Sequence, residues 1–203
     1  DQLSRYELRL QNDVSAVKVP KVSWDALAYV GKADDFAGPA AQNILHIDGG
    51  GADAAGIAAW GLVVCFVSPD GRWFFMGYMT GLVETAASST QHLGMTVATG
   101  GAAELSAQIW AASWLLTLPS SLQHVPVEVR YDSEVSANIA ILQAESRRHP
   151  AGGAIASTLW RVASHARAIS FRHISAHRGE PWNELVDAVC LAGASGACPR
   201  WSA

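Results

Sequence analysis

Lysine is scarce in this chain. Only three lysines occur among 203 residues, and the formal net charge is -4. Proteins that bind nucleic acid mainly by releasing counterions from phosphates are usually basic. The composition therefore disfavours strong general binding to nucleic acid, so any such binding would have to be local or assisted by another domain.

Cysteine is also scarce, and a long apolar run is missing. Cys65, Cys190 and Cys198 are odd in number and lack C-x-x-C spacing, which argues against a disulfide framework and a zinc site. We expect reduced thiols inside the cell, in the cytoplasm or nucleus. The longest apolar stretch, 56–67, is far shorter than the roughly 20 residues that cross a bilayer, and no signal peptide is visible. We therefore expect no membrane association.

Changes in composition suggest three segments. Residues 1–42 are mixed in charge and weakly patterned, which predicts an N-terminal extension or linker. Residues 43–195 carry regular hydrophobic patterns and are predicted to form the folded domain, and 196–203 a C-terminal tail. The first residue is Asp1 and not Met, which suggests a piece of a longer polypeptide, although a processed start would look the same.

Hydrophobic periodicity within 43–195 predicts an α/β fold. Strand patterns and helical patterns follow one another in the order βββαβααβα. The predicted strands are 43–48, 56–67, 72–83, 125–133 and 169–177, and the predicted helices are 102–118, 134–145, 154–168 and 183–193. This order predicts a five-stranded mixed sheet, an antiparallel meander followed by parallel strands, with helices on both faces.

Four acidic residues lie at the ends of predicted strands or near the starts of predicted helices. Asp48 and Asp132 are predicted to end two strands, whereas Glu104 and Asp187 are predicted in the first turns of two helices. If the two strands are adjacent and parallel, their carboxylates emerge at one edge of the sheet. Converging carboxylates repel one another unless cations neutralise them, and oxygen ligands suit Mg²⁺ or Mn²⁺. Each acid alone is more commonly a turn former or a favourable helix-start residue, so only the combination points to a metal site.

Four motifs resemble the type 1 ribonuclease H family. They are HIDGG around Asp48, AELSA around Glu104, RYDSEV around Asp132, and SAHRGEPWNELVDAVCLAG around His177 and Asp187. The similarity covers about residues 43–195. The Pro-Trp-Asn-Glu version of the last motif looks like the domains attached to retroelement reverse transcriptases.

The resemblance implies a chemistry: metal-dependent hydrolysis of the RNA strand of an RNA–DNA hybrid by two Mg²⁺ ions, with Mn²⁺ as a substitute. It implies metal ligands at Asp48, Glu104, Asp132 and Asp187, and help from His177 in proton transfer or product departure. A tethered reverse transcriptase domain is an implied partner. Substrate contacts are expected at Gly49, Gly101, Ser133, Arg178 and Asn183.

Two alternatives remain open from the sequence. One is a noncatalytic ribonuclease H-like module with a structural or nucleic-acid-binding role, and the other is a different nuclease or integrase of the same fold, which fits the motif spacing less well. Gly100 and Gly101 stand where many family members have asparagines, and no basic protrusion follows the fourth strand. We therefore expect the isolated chain to bind hybrid weakly. Trp110, Trp114 and Trp160 are expected in the core, and Trp182 in packing.

Overall fold

A computed structural model describes residues 11, 29–32, 40–50, 56–119, 122 and 124–197. Ten elements occur within these ranges. The strands are β1 (Tyr29–Lys32), β2 (Gln42–Gly50), β3 (Ala59–Val67), β4 (Trp73–Leu82), β5 (Val127–Tyr131) and β6 (Ile169–His173). The helices are α1 (Gly100–Thr117), α2 (Glu134–Ala140), α3 (Pro150–Ala166) and α4 (Pro181–Ser195).

The strands form one mixed sheet in the order β1-β4-β3-β2-β5-β6. Strands β2, β3 and β4 pair antiparallel as a meander, and β2, β5 and β6 pair parallel. The five predicted strands and their mixed arrangement are thus confirmed. The parallel pairing of β2 with β5 brings together the two strands that lead to Asp48 and Asp132.

A sixth strand, β1, was not predicted. It lies within the segment 1–42 and pairs parallel with the outer edge of β4. Farther along the same edge, Gln11 and Tyr78 exchange two backbone hydrogen bonds, of 2.8 and 2.7 Å, in an isolated antiparallel bridge. Most of 1–42, and residues 198–203 with Cys198, lie outside the described residues, so the proposed extension and tail remain predictions.

The helix starts depend on capping side chains. Helix α1 begins at Gly100, because the Thr99 hydroxyl accepts a hydrogen bond from the Ala102 N–H (3.2 Å). Helix α4 begins at Pro181, because the Glu180 carboxylate accepts from the Asn183 N–H (2.7 Å). Both helices therefore start two residues before the predicted positions, and Asn183 lies inside the first turn of α4 and does not cap it.

Apolar side chains fill both faces of the sheet. Helices α1 and α3 cover one face, where Trp110, Trp114 and Trp160 are buried as predicted. Helix α4 covers the other face, and the ring of Trp182 stacks on that of Trp73 with centroids 5.9 Å apart. The predicted helices on both faces are confirmed. No helix within the described ranges has the length and apolar character needed to span a bilayer.

Candidate metal centre

Asp48 and Asp132 reach the same edge of the sheet because β2 and β5 are parallel neighbours. In their register His46 lies opposite Arg130, and each aspartate follows two residues later. Asp132 comes directly after β5, but β2 continues to Gly50, so the prediction that Asp48 ends its strand was wrong by two residues.

Gly49 allows α1 to approach β2 closely enough to bring in a third acid. A Cβ atom at Gly49 would lie 2.1 Å from the backbone nitrogen of Glu104, a distance that no side chain can accept. Glycine at this position therefore permits backbone contact between strand and helix. Glu104 is the fifth residue of α1 and lies in its second turn, not in the predicted first turn.

The three acids converge. Asp48, Glu104 and Asp132 each offer a carboxylate oxygen, and these atoms all lie within 4.8 Å of one another. Asp48 is the most enclosed, with 6% of its surface exposed, and its Oδ1 accepts a hydrogen bond from the Gly49 N–H (2.7 Å). Three nearby oxygen donors with little neutralising charge between them are a donor set that fits a hard divalent cation.

Electrostatics favour a cation in the same place. Burial, followed by the negative charge of Asp132, raises the pKa of Asp48 to about 7. Burial, followed by the charges of Asp48 and Asp132, raises the pKa of Glu104 to about 10. Without a cation, Glu104 therefore holds a proton at neutral pH. A divalent cation would remove the repulsion and displace that proton.

Asp187 lies beside this group but outside the 4.8 Å set. It is the seventh residue of α4, in the second turn and not in the predicted first turn. Burial is the main reason that its pKa is raised, and the charge of His177 acts in the opposite direction. Asp187 also raises the pKa of Asp48, which places its charge within electrostatic reach of the three acids.

His177 lies in an exposed turn between β6 and α4. Strand β6 ends at His173, so His177 lies four residues beyond the strand. The prediction that the strand extends to His177 was wrong. Its φ of 51° is in the left-handed region, which is uncommon for residues other than glycine. The turn is held by a hydrogen bond from the Gly179 N–H to Glu184 (3.4 Å).

The five predicted substrate contacts differ in exposure. Gly101 and Arg178 are exposed, and Gly101 has open space where a side chain would be. Ser133 is half-buried and caps α2 by accepting from the Ser136 N–H (3.4 Å). Gly49 is half-buried against α1, and Asn183 is 2% exposed.

Sequence reasoning did not find a group of charged and aromatic residues behind the acids. Arg130 lies in β5 and forms ion pairs with Glu128 (2.6 Å) and Glu180 (3.4 Å). Its guanidinium lies 4.9 Å from the ring centroid of Trp73. An arginine in a strand two residues before Asp132 was the available signal, but two of its partners, Glu180 and Trp73, lie 50 or more positions away.

Comparison with known proteins places this arrangement in a known fold. No protein-family model matches the chain, and no curated protein matches it in sequence. Among solved structures, ribonuclease H1 of the archaeon Halobacterium salinarum is 17% identical, with a TM-score of 0.51 over 76% of this chain and 98% of that one. Ribonuclease H1 LC11 in complex with an RNA/DNA hybrid is 21% identical, with a TM-score of 0.50 over 72% and 94% of the two chains.

A viral enzyme is similar as well. The protease-reverse transcriptase of prototype foamy virus is 16% identical, with a TM-score of 0.53 over 82% of this chain and 22% of the viral one. The chain therefore has the ribonuclease H fold, as the motif resemblance implied. At these identities the similarity establishes the fold, and the acidic cluster at its sheet edge is a possible metal site within it.

Proposed function

We propose that this chain is a ribonuclease H, a metal-dependent endonuclease that hydrolyses the RNA strand of RNA–DNA hybrids. In this proposal it acts as part of a larger, retroelement-type polypeptide with a tethered reverse transcriptase domain. The observation that carries the proposal is the set of three carboxylate oxygens, from Asp48, Glu104 and Asp132, within 4.8 Å of one another. The fold shared with hybrid-bound LC11 supports the choice of substrate.

The acids would hold the metal. Asp48, Glu104 and Asp132 provide the inner donors, and Asp187 provides a fourth carboxylate from α4. Two Mg²⁺ ions, or Mn²⁺ ions, would supply an activated water and stabilise the charge on the leaving 3′ oxygen. The acids themselves would set the position of the scissile phosphate, because they lie on β2, α1 and α4 and directly after β5.

His177 would move a proton at the edge of the site. Its side chain is exposed on the turn before α4 and interacts electrostatically with Asp187. We assign it proton exchange with the reacting oxygen or with departing product.

Substrate contacts would come from the surface around the acids. Gly101 presents an open backbone at the start of α1, Ser133 a hydroxyl beside Asp132, and Arg178 an exposed cation for a phosphate. We assign Gly49 and Asn183 indirect roles, because α1 contacts the first and the second is buried. Contacts to 2′-hydroxyls would distinguish the RNA strand.

The decisive experiment is cleavage of end-labelled RNA–DNA hybrid, compared with duplex RNA and duplex DNA. Each substrate is incubated with Mg²⁺, with Mn²⁺ and with EDTA. We expect cleavage of the RNA strand of the hybrid alone, and only with metal. The matched variants are Asp132→Asn at the site and Glu145→Gln on the exposed surface.

The outcome separates the alternatives. Hybrid binding without cleavage under every metal condition would favour a noncatalytic nucleic-acid-binding module. Cleavage of duplex DNA with equal efficiency would favour another nuclease of the same fold. Loss of cleavage in Asp132→Asn, but not in Glu145→Gln, would assign the activity to the acidic cluster.

A further inference from the structure

We propose that Glu180 is a positioning residue that fixes Asp187 and the His177 turn relative to Asp48 and Asp132. The inference rests on the proposed function and concerns the same site. Its carboxylate contacts Arg130 in β5 and the first turn of α4, and it lies near His46 in β2. These are three of the elements that position the acids.

Glu180 has contacts in two directions. One carboxylate oxygen, Oε2, accepts from the Asn183 N–H (2.7 Å) and fixes the first turn of α4. The other oxygen, Oε1, accepts from Nη1 of Arg130 in β5 (3.4 Å). In addition, Nδ1 of His46 in β2 lies 3.9 Å from Oε2. The Glu180 side chain thus links the start of α4 to β5 and lies next to β2.

The register of those strands shows why this position matters. His46 and Arg130 lie opposite each other across the β2–β5 pair, and Asp48 and Asp132 each follow two residues later. Alternate residues of a strand point to the same face. Glu180 therefore lies beside His46 and Arg130, the two residues that precede the metal-ligand candidates Asp48 and Asp132 on the same face of the sheet. Along α4 it precedes Asp187 by seven residues, which is about two helical turns.

The His46 ring supplies an independent observation. It is completely buried, and neither ring nitrogen has a hydrogen-bond partner within the described part of the chain. Buried polar atoms are rarely left unpaired. Oε2 of Glu180 lies 3.9 Å from Nδ1 of His46, so a small movement would complete a hydrogen bond between them.

Arg130, which pairs with Glu180, is itself held in place by further contacts. Glu128 Oε1 accepts a 2.6 Å hydrogen bond from Nε of Arg130, and the guanidinium lies over the ring of Trp73. Trp73 in turn stacks on Trp182, which is the second residue of α4. Arg130 is therefore pre-oriented towards Glu180, and α4 is fixed to the sheet by both charge and aromatic contact.

A substitution that separates capping from bridging tests the proposal. Glu180→Asp retains a strongly favoured capping residue, but its side chain is one methylene shorter and cannot reach Arg130. We expect α4 and the melting temperature to be preserved, while Mn²⁺ affinity, measured by calorimetry without nucleic acid, falls about 10-fold. Glu145→Asp is the exposed control and should bind Mn²⁺ like the parent.

A double-substitution cycle identifies the route. If Glu180 acts through Asp187, Glu180→Asp should weaken Mn²⁺ binding in the parent but have little effect in Asp187→Asn. In cleavage assays the metal concentration for half-maximal rate should rise about as much as the dissociation constant. A purely capping role would instead lower the melting temperature and leave Mn²⁺ affinity unchanged.

Failure of this inference can be distinguished from failure of the proposed function. A parent protein that binds Mn²⁺ and cleaves hybrid, together with a Glu180→Asp variant of parental Mn²⁺ affinity, would overturn this inference and leave the proposed function standing. Additive effects of Glu180→Asp and Asp187→Asn would also overturn it. A parent that neither binds Mn²⁺ nor cleaves would overturn the proposed function and this inference together.

Discussion

Replacing Glu104 by glutamine should change how stability depends on pH in the absence of metal. Burial and the neighbouring aspartates raise the pKa of Glu104 to about 10, far above the ordinary glutamate value of 4.5. Between these values the folded protein holds one more proton than the unfolded chain. Because the folded pKa is raised, this contribution to the free energy of unfolding is full below the unfolded pKa and is lost as pH rises towards the folded one.

The magnitude follows from the linkage relation. With one extra proton in the folded state, the free energy of unfolding falls by about 1.4 kcal/mol for each unit that the pH rises, or by about 2.7 kcal/mol between about pH 7 and pH 9. This pH window lies above the usual range of histidine pKa values and above the raised pKa of Asp48, which is about 7. These groups therefore contribute little to the change in stability there. Glutamine at position 104 cannot ionise, so the variant should lack this part of the slope.

Urea denaturation in EDTA at several pH values measures both slopes. We expect the parent to lose about 2.7 kcal/mol more than Glu104→Gln across the window, and added Mg²⁺ to reduce the loss in the parent by favouring the ionised carboxylate. Glu145→Gln, at an exposed position, should keep the parental slope. Parallel slopes for the parent and Glu104→Gln would refute the conclusion that Glu104 is protonated at neutral pH in the metal-free protein.

Three further outcomes are expected. Asp132→Asn should reduce hybrid cleavage to background, because it removes one of the proposed metal ligands. Circular dichroism should show an intact fold, because the Asp132 carboxylate raises the pKa values of Asp48 and Glu104 and its removal relieves repulsion. Parental activity in this variant would contradict the ligand assignment. His177→Ala should retain measurable cleavage, about 10²–10⁴-fold below the parent at most, and a complete loss exceeding that of Asp132→Asn would contradict its role as a proton carrier. Gln108→Met should raise stability by about 1 kcal/mol in urea titrations, because the buried Gln108 amide has no hydrogen-bond partner within the described residues; destabilisation would indicate a bridging water or another partner.

The order of the four helices and of the five strands from β2 to β6 could be predicted from the sequence, because hydrophobic periodicity is a local signal. The mixed sheet was inferred from that order. The ends of the elements could not be predicted in this way. Helix α4 starts at Pro181 because Glu180 caps it, and the pattern-based start at Asn183 ignored that cap. Strand β1 was missed because its pairing with β4 joins segments about 40 positions apart and the local pattern is weak.

Three of the four predicted acids, Asp48, Glu104 and Asp132, come together in the structure, and Asp187 lies outside that group. Their precise grouping required tertiary structure. The contact that brings Glu104 to Asp48 depends on Gly49 lying against the backbone of α1, which no periodicity reveals. The connection of Arg130 with Glu180 depends on strand register and on an aromatic stack, and both are non-local.

The pairing along the outer edge of β4 bears on where the chain can be divided for expression. The motif resemblance suggests a fragment that starts near residue 43. Such a fragment would lack both β1 and Gln11, and it would leave exposed backbone donors and acceptors beside Phe74 and Phe75, which are 3% and 6% exposed in the intact arrangement. An uncovered apolar edge strand pairs readily with other chains, so the shorter fragment is expected to aggregate where the longer one stays dispersed.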